Sequence, residues 1–273
     1  EFKQLNNVTF AAGRSSPTPV TIDVTSPIVW MVLELVVEIV TVVGTGTVKS
    51  IQDGVKRLLR LVQITQGGSP VKTFGQNDTI GSAGVMIEVL QRSWLKGVPS
   101  RLDAGGVMAA PGTTIADGTH TVLIKYVIPI SVPENRYHRE WVNRTALRVG
   151  LETWQVQVTW GNATDVVALT GNATGAITDE NTYVKVGVLT DESLDPKWPA
   201  PNNGSMLRGG MILKTVSDAQ TLGTAAAGNL TRSLPIAGAA LAHALACYDN
   251  SLLNDDLINN SIYKIDNREE VYQ

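Results

Sequence analysis

Two acidic pairs have the spacing to share a cation: Glu34 with Glu38, and Asp255 with Asp256. Hard divalent cations such as calcium take several oxygen ligands at once, and carboxylates are their usual charged donors. Two carboxylates make only part of such a shell. Calcium at a subunit junction therefore stands beside the simpler reading of each pair as solvated. Histidine, the residue most often used for acid–base chemistry, occurs only three times: His120, His138 and His243. None is spaced H-x-x-x-H or H-E-x-x-H. His243 lies in the apolar run "ALAHALACY" and reads as a core residue; His138 lies in the charged "NRYHRE" and reads as solvated. Cys247, the single cysteine, shares that apolar run and reads as a buried, inert thiol. No nucleophile elbow, Walker loop or dinucleotide fingerprint occurs. "GTGT" (44–47) leads from one strand-like run into another and reads as a turn, not a phosphate cradle. "KRLLR" (56–60) could meet a lipid headgroup or a genome, but three basic residues on a strand read first as a solvated face. These residues predict no catalytic residue, no cofactor and no firm metal site.

The elements that carry these residues are strands. "PIVWMVLELVVEIVTVV" (27–43) is shorter than the roughly 20 apolar residues of a spanning helix, and it carries two carboxylates near its middle. Its flank lacks the basic region and cleavage site of a signal peptide. Most of its residues are β-branched, which favours a pleated sheet over a helix. In a strand, Glu34 and Glu38 point to one face and Met31, Leu33, Leu35, Val37 and Ile39 to the other. One face should be core. Further strands are predicted at 19–24, 57–65, 70–74, 120–130, 153–160, 165–170, 182–190 and 261–265. Turns are predicted at "QGGSP", "GNATG", "APNNGS" and "DNRE". In "TWQVQVTW" (153–160), Trp154, Val156, Val158 and Trp160 alternate with polar residues, as in a half-buried antiparallel strand. Only 81–97 reads clearly as a helix, with 217–230 as a short helix or a long loop. Few strand–helix units alternate, so the class is all-β with few short helices.

Charge narrows the partners. The net charge of −3 divides into +2 over 1–132 and −5 over 133–273, with no basic arm, so sequence-specific nucleic-acid binding is not expected. The chain begins at Glu1 and not at a methionine, as a processed or trimmed chain would. Its first nineteen residues are polar and carry Ser and Pro, which reads as an arm or a flexible terminus.

Eight N-x-S/T triplets begin at Asn7, Asn77, Asn143, Asn162, Asn172, Asn203, Asn229 and Asn259. Sixteen asparagines in a chain of this Ser/Thr content should give about two or three by chance. Glycosylation is one reading of the surplus; Asn and Thr supplying the turns of an all-β chain is the other.

The polar segment "SVPENRYHRE" (131–140) is the best linker candidate, which divides the chain into 1–132, with an N-terminal arm, and 133–273. Each part carries a strand–turn–strand of similar pattern, "VKRLLRLVQITQGGSPVKTF" (55–74) and "NDDLINNSIYKIDNREEVYQ" (254–273). "LETWQVQVTWGNATDVV" (151–167), 232–273 and 55–74 together resemble the double jelly-roll major capsid proteins of tailless icosahedral viruses with an internal membrane, a group that includes small bacteriophages.

The resemblance implies two eight-stranded jelly rolls in tandem. It implies a homotrimer of pseudo-hexagonal outline that tiles a virion shell over a lipid membrane. Its partners would be neighbouring capsomers and penton or minor capsid proteins. A pair of β-sandwiches that binds carbohydrate, as a lectin or adhesin, is the rival; six tryptophans favour it. The apolar parity of Trp154 and Trp160 counts against it. A glycoside hydrolase on a jelly roll would need two carboxylates facing one cleft, and nothing in the sequence points to such a pair.

Overall fold

A computed structural model describes residues 1–76, 81–94, 112–131, 139, 142, 145–148 and 153–194, and the backbone of four short strands at 248–249, 252–253, 261–265 and 268–272. Eight strands make two antiparallel sheets. One sheet orders β1 (Phe2–Thr9), β12 (Tyr183–Thr190), β3 (Ile28–Val42) and β8 (Gly118–Pro129) side by side. The other orders β2 (Val20–Thr21), β9 (Trp154–Trp160), β5 (Leu59–Gln66) and β6 (Ser69–Phe74). Counted along the chain, the first sheet takes the first, eighth, third and sixth of these strands. The second takes the second, seventh, fourth and fifth. That alternation between two facing sheets is the jelly roll.

β3 is its central strand, paired with β8 along one side and with β12 and β11 (Thr174–Ile177) along the other. The parity expected from its sequence holds. Met31, Leu33, Leu35 and Ile39 are wholly buried and Val37 nearly so, while Glu34 and Glu38 lie on the opposite face. From the facing sheet, Val62, Ile64, Phe74, Trp154, Val156, Val158 and Trp160 enter the same core. Phe10 meets Trp160 edge to face with ring centroids 5.2 Å apart, and the Trp160 indole N–H donates to Ser16 Oγ at 2.7 Å. A buried indole is thereby satisfied. The "QGGSP" turn closes the β5–β6 hairpin through Gly67 and Gly68, at φ 54° and 84°. Two successive positive φ values are what a two-residue hairpin turn needs, and glycine adopts them without strain.

Three expectations need correction. The division at residue 132 does not separate the sheets: β9 and β12, from beyond it, pair with β5 and β3 from before it. The jelly roll closes only at Thr190, because its eighth strand returns between the first and the third. The N-terminal segment begins as a strand, β1. β1 is polar because it is an edge strand with most positions in solvent, and its Phe2 ring covers Gly187 of β12. "KRLLR" is not a solvated face: Lys56 and Arg57 are buried in the short helix α1 (Gly54–Arg57). The expected helix at 81–97 is α2 (Ala83–Trp94). Among the described residues no helix is long and apolar enough to cross a membrane.

Beyond Leu194, β13 (Tyr248–Asp249) pairs with β14 (Leu252–Leu253), and β15 (Ser261–Ile265) with β16 (Arg268–Tyr272). The β15–β16 ribbon is a hairpin like β5–β6, as the shared sequence pattern suggested. The expected helix or loop at 217–230 lies outside the described residues, as does most of the linker.

Candidate functional site: the insertion end and the outer sheet face

The sandwich has two unlike ends. At one, β3 reaches Val42 and three long connections leave: from β3 to β5, from β6 to β8, and from β9 to β12. At the other, the amino group of Glu1 donates to the Thr190 carbonyl at 2.7 Å, and Leu194 packs with Val29, Val142 and Ala146. Fourteen steps of extended chain along β3 separate the ends by about 46 Å.

Each long connection contributes one strand to a small third sheet: β4 (Thr47–Ser50) at its centre, flanked by β7 (Thr114–Ile115) and β10 (Val167–Thr170). Each also contributes a helix: α1, α2, and α3 (Ala163–Val166). "GTGT" is the turn into β4, as expected.

Buried charges join these helices. Lys56 of α1 pairs with Asp53 at 2.6 Å and with Glu88 of α2, and all three side chains are buried or nearly so. Asp53 takes a left-handed backbone (φ 54°), a conformation that Asp tolerates better than most residues, where the chain turns into α1. Arg60 of β5 donates to Asp165 of α3 at 2.8 Å, and the same carboxylate oxygen accepts the Asn162 backbone N–H at 2.8 Å. Neither cluster was legible in the sequence. Its partners lie 32 residues apart for Lys56 with Glu88 and 105 apart for Arg60 with Asp165. The one available signal was the basic run itself, too dense for the start of an apolar strand.

The outer face of β3 holds the first acidic pair. Glu34 lies directly across from Lys125 of β8 and Lys185 of β12, which reach it at 3.1 and 2.8 Å, one lysine on each carboxylate oxygen. The Lys185 hydrogen bond, aided by Lys125, holds the Glu34 carboxyl below the usual carboxylate range despite its partial burial. Glu38 accepts from the Thr178 hydroxyl at 2.9 Å and the Asn181 amide at 2.8 Å. The two glutamates share a face, as expected, but each is engaged by protein donors of its own. Asp255 and Asp256 lie outside the described residues. Among the described residues, no group of three or more His, Cys, Asp or Glu is placed to hold a metal ion.

His120 Nε2 lies 3.0 Å from the Ala116 carbonyl and 3.1 Å from Thr41 Oγ1, which itself donates to that carbonyl at 2.6 Å. The ring fastens the start of β8 to β3. His138, His243 and Cys247 lie outside the described residues. Lys72, which sequence reading missed, is 4% exposed on β6, opposite Ile64. Burial alone pulls its amine down to about 7.

Fold and site together define an eight-stranded jelly roll whose insertions are gathered and fastened at one end. No family model and no curated protein matches the chain. Among solved structures it is similar to the MCP of STIV (Sulfolobus Turreted Icosahedral Virus), with 14% identity and a TM-score of 0.44 over 70% of this chain and 48% of that one. It is similar to the PBCV-1 virus capsid, with 13% identity and a TM-score of 0.37 over 70% and 42%. It is similar to the major capsid protein of mavirus, with 12% identity and a TM-score of 0.34 over 70% and 46%. The chain thus spans less than half the length of each.

Proposed function

We propose that this chain is a structural subunit of a virus shell, a major capsid protein whose work is assembly. The observation that supports this reading is the jelly roll with its three insertions fastened into one end. Such a module offers a rigid two-sheet body for lateral contacts and frees the connections at one end to vary. The finer reading is a double jelly roll. Three copies form a pseudo-hexagonal trimer that tiles an icosahedral shell over an internal membrane, with penton or minor capsid proteins as further partners. In this reading no residue performs catalysis. Carbohydrate binding gains little from the described tryptophans, because Trp154 and Trp160 are core residues and Trp30 is partly buried.

The test is the solution mass by light scattering, followed by negative-stain imaging of the peak. The expected result is a trimer with a hexagonal outline. A monomer at every concentration and salt would overturn the proposal, and binding on a glycan array would then establish the rival.

A further inference from the structure

The surplus of N-x-S/T triplets is not absorbed by assembly. Three fall among the described residues, and in each both the asparagine and the hydroxyl residue are exposed: Asn7 with Thr9, Asn162 with Thr164, and Asn172 with Thr174. Turn chemistry explains two of the three asparagines. Asn162 caps α3, its side chain accepting from the third backbone N–H of the helix. Asn172 sits third in the tight turn Thr170–Ala173, closed by the Ala173 N–H on the Thr170 carbonyl at 3.2 Å, with Gly171 at φ 60° supplying the positive-φ position. Turn chemistry explains neither Thr164 nor Thr174. It does not reach Asn7 at all, which lies within β1, where asparagine is disfavoured.

We propose that Asn7 and Asn172 are acceptor sites for N-linked glycans. Asn172 stands in the tight turn between β10 and β11 on the insertion end, and Asn7 on an edge strand whose outer side has no pairing partner among the described strands. A transferase can reach both without opening a sheet. The donor class is a lipid-phosphate-linked oligosaccharide. Its anomeric carbon bonds to the asparagine Nδ2, its bond to the phosphate oxygen breaks, the lipid phosphate leaves, and the amide gives up one proton. A glycan at Asn7 would also shield the free edge of β1 from pairing with another chain.

The experiment is peptide mass spectrometry of the chain from its native source, before and after peptide-N-glycosidase treatment in heavy-oxygen water. Both asparagines are expected to carry glycan and to convert to labelled aspartate. Thr9→Ala and Thr174→Ala, which leave the asparagines and the turn in place, should each abolish one glycan, and Thr174→Ser should retain it. Recovery of either asparagine only in unmodified form overturns the assignment at that site. Light scattering on the same samples keeps the two proposals apart: bare asparagines on a chain that assembles overturn the glycans alone, and glycans on a persistent monomer overturn assembly alone.

Discussion

The ion pairs of the outer sheet face and those of the insertion end use the same residue types under opposite conditions. On the sheet face, Lys125, Glu34 and Lys185 stand in one row across three strands, and the two lysine side chains are 43% and 36% exposed. Water screens that row, and strand register alone places its members. At the insertion end the Lys56 side chain is 10% exposed and its two carboxylates 11% and 6%. There solvent contributes little, so each charge depends on its counter-charge. The pairs also join separate connections of the chain. Charge on the sheet decorates a structure that hydrophobic parity already sets; charge at the insertion end joins separate connections, alongside the small third sheet and core residues such as Val48, Leu58 and Ile87.

The strongest way to break this comparison is to remove the buried cation. Lys56→Ala would leave Asp53 and Glu88 close together without their shared counter-charge. The expected loss is about 3–5 kcal/mol, the usual cost of removing one partner of a buried ion pair, read as a lower denaturant midpoint. A loss below about 1 kcal/mol would mean that the cluster is as solvated as the sheet face.

Lys72 sharpens the comparison as a buried charge whose pKa reflects burial alone. Its folded pKa of about 7 lies below the ordinary 10.5. Below the folded value both states carry the proton, and the burial penalty is felt in full. Between the two values the unfolded chain binds the proton and the folded chain does not, so stability rises with pH. Lys72→Met should therefore stabilise the protein by roughly 4–5 kcal/mol at about pH 6 and by about 1 kcal/mol or less at about pH 10. Thermal or denaturant unfolding at both pH values checks this; a gain independent of pH would assign the effect to packing instead of charge.

The contrast also explains what was legible in the sequence. Period-2 alternation exposed β3 and β9 because a strand with one buried face must alternate, and the residues that parity selected are buried. The Gly67–Gly68 turn was legible because its backbone demands glycine. β1 was not, since an edge strand that is mostly solvated carries the composition of a loop. The domain boundary was misplaced for a topological reason. A jelly roll sends its last strand back between its first and third, and no local signal in 131–140 reports which sheet 154–190 will join. The insertion-end ion pairs were invisible because they depend on contacts across three connections, whereas Glu34 was visible as an outward residue though its two lysines were not.

The smallest effect belongs to that outward residue. Glu34→Gln removes the charge between Lys125 and Lys185 but keeps a hydrogen-bonding side chain of the same size. The loss should stay below about 1 kcal/mol at neutral pH and shrink further in high salt, because exposed pairs gain little and are screened. Its pH dependence has the same sign as that of Lys72 but lies at lower pH, because both folded pKa values are lowered and stability rises with pH in each case. The folded Glu34 pKa is lowered, chiefly by the Lys185 hydrogen bond. The stabilisation is therefore present above the unfolded value of 4.5 and is lost as pH falls through the folded one. Variant and parent should converge in acid, as compared by their unfolding midpoints there and at neutral pH. A loss at neutral pH as large as that of Lys56→Ala would show that the outer face is covered in the folded protein, and the distinction between the two regions would fail.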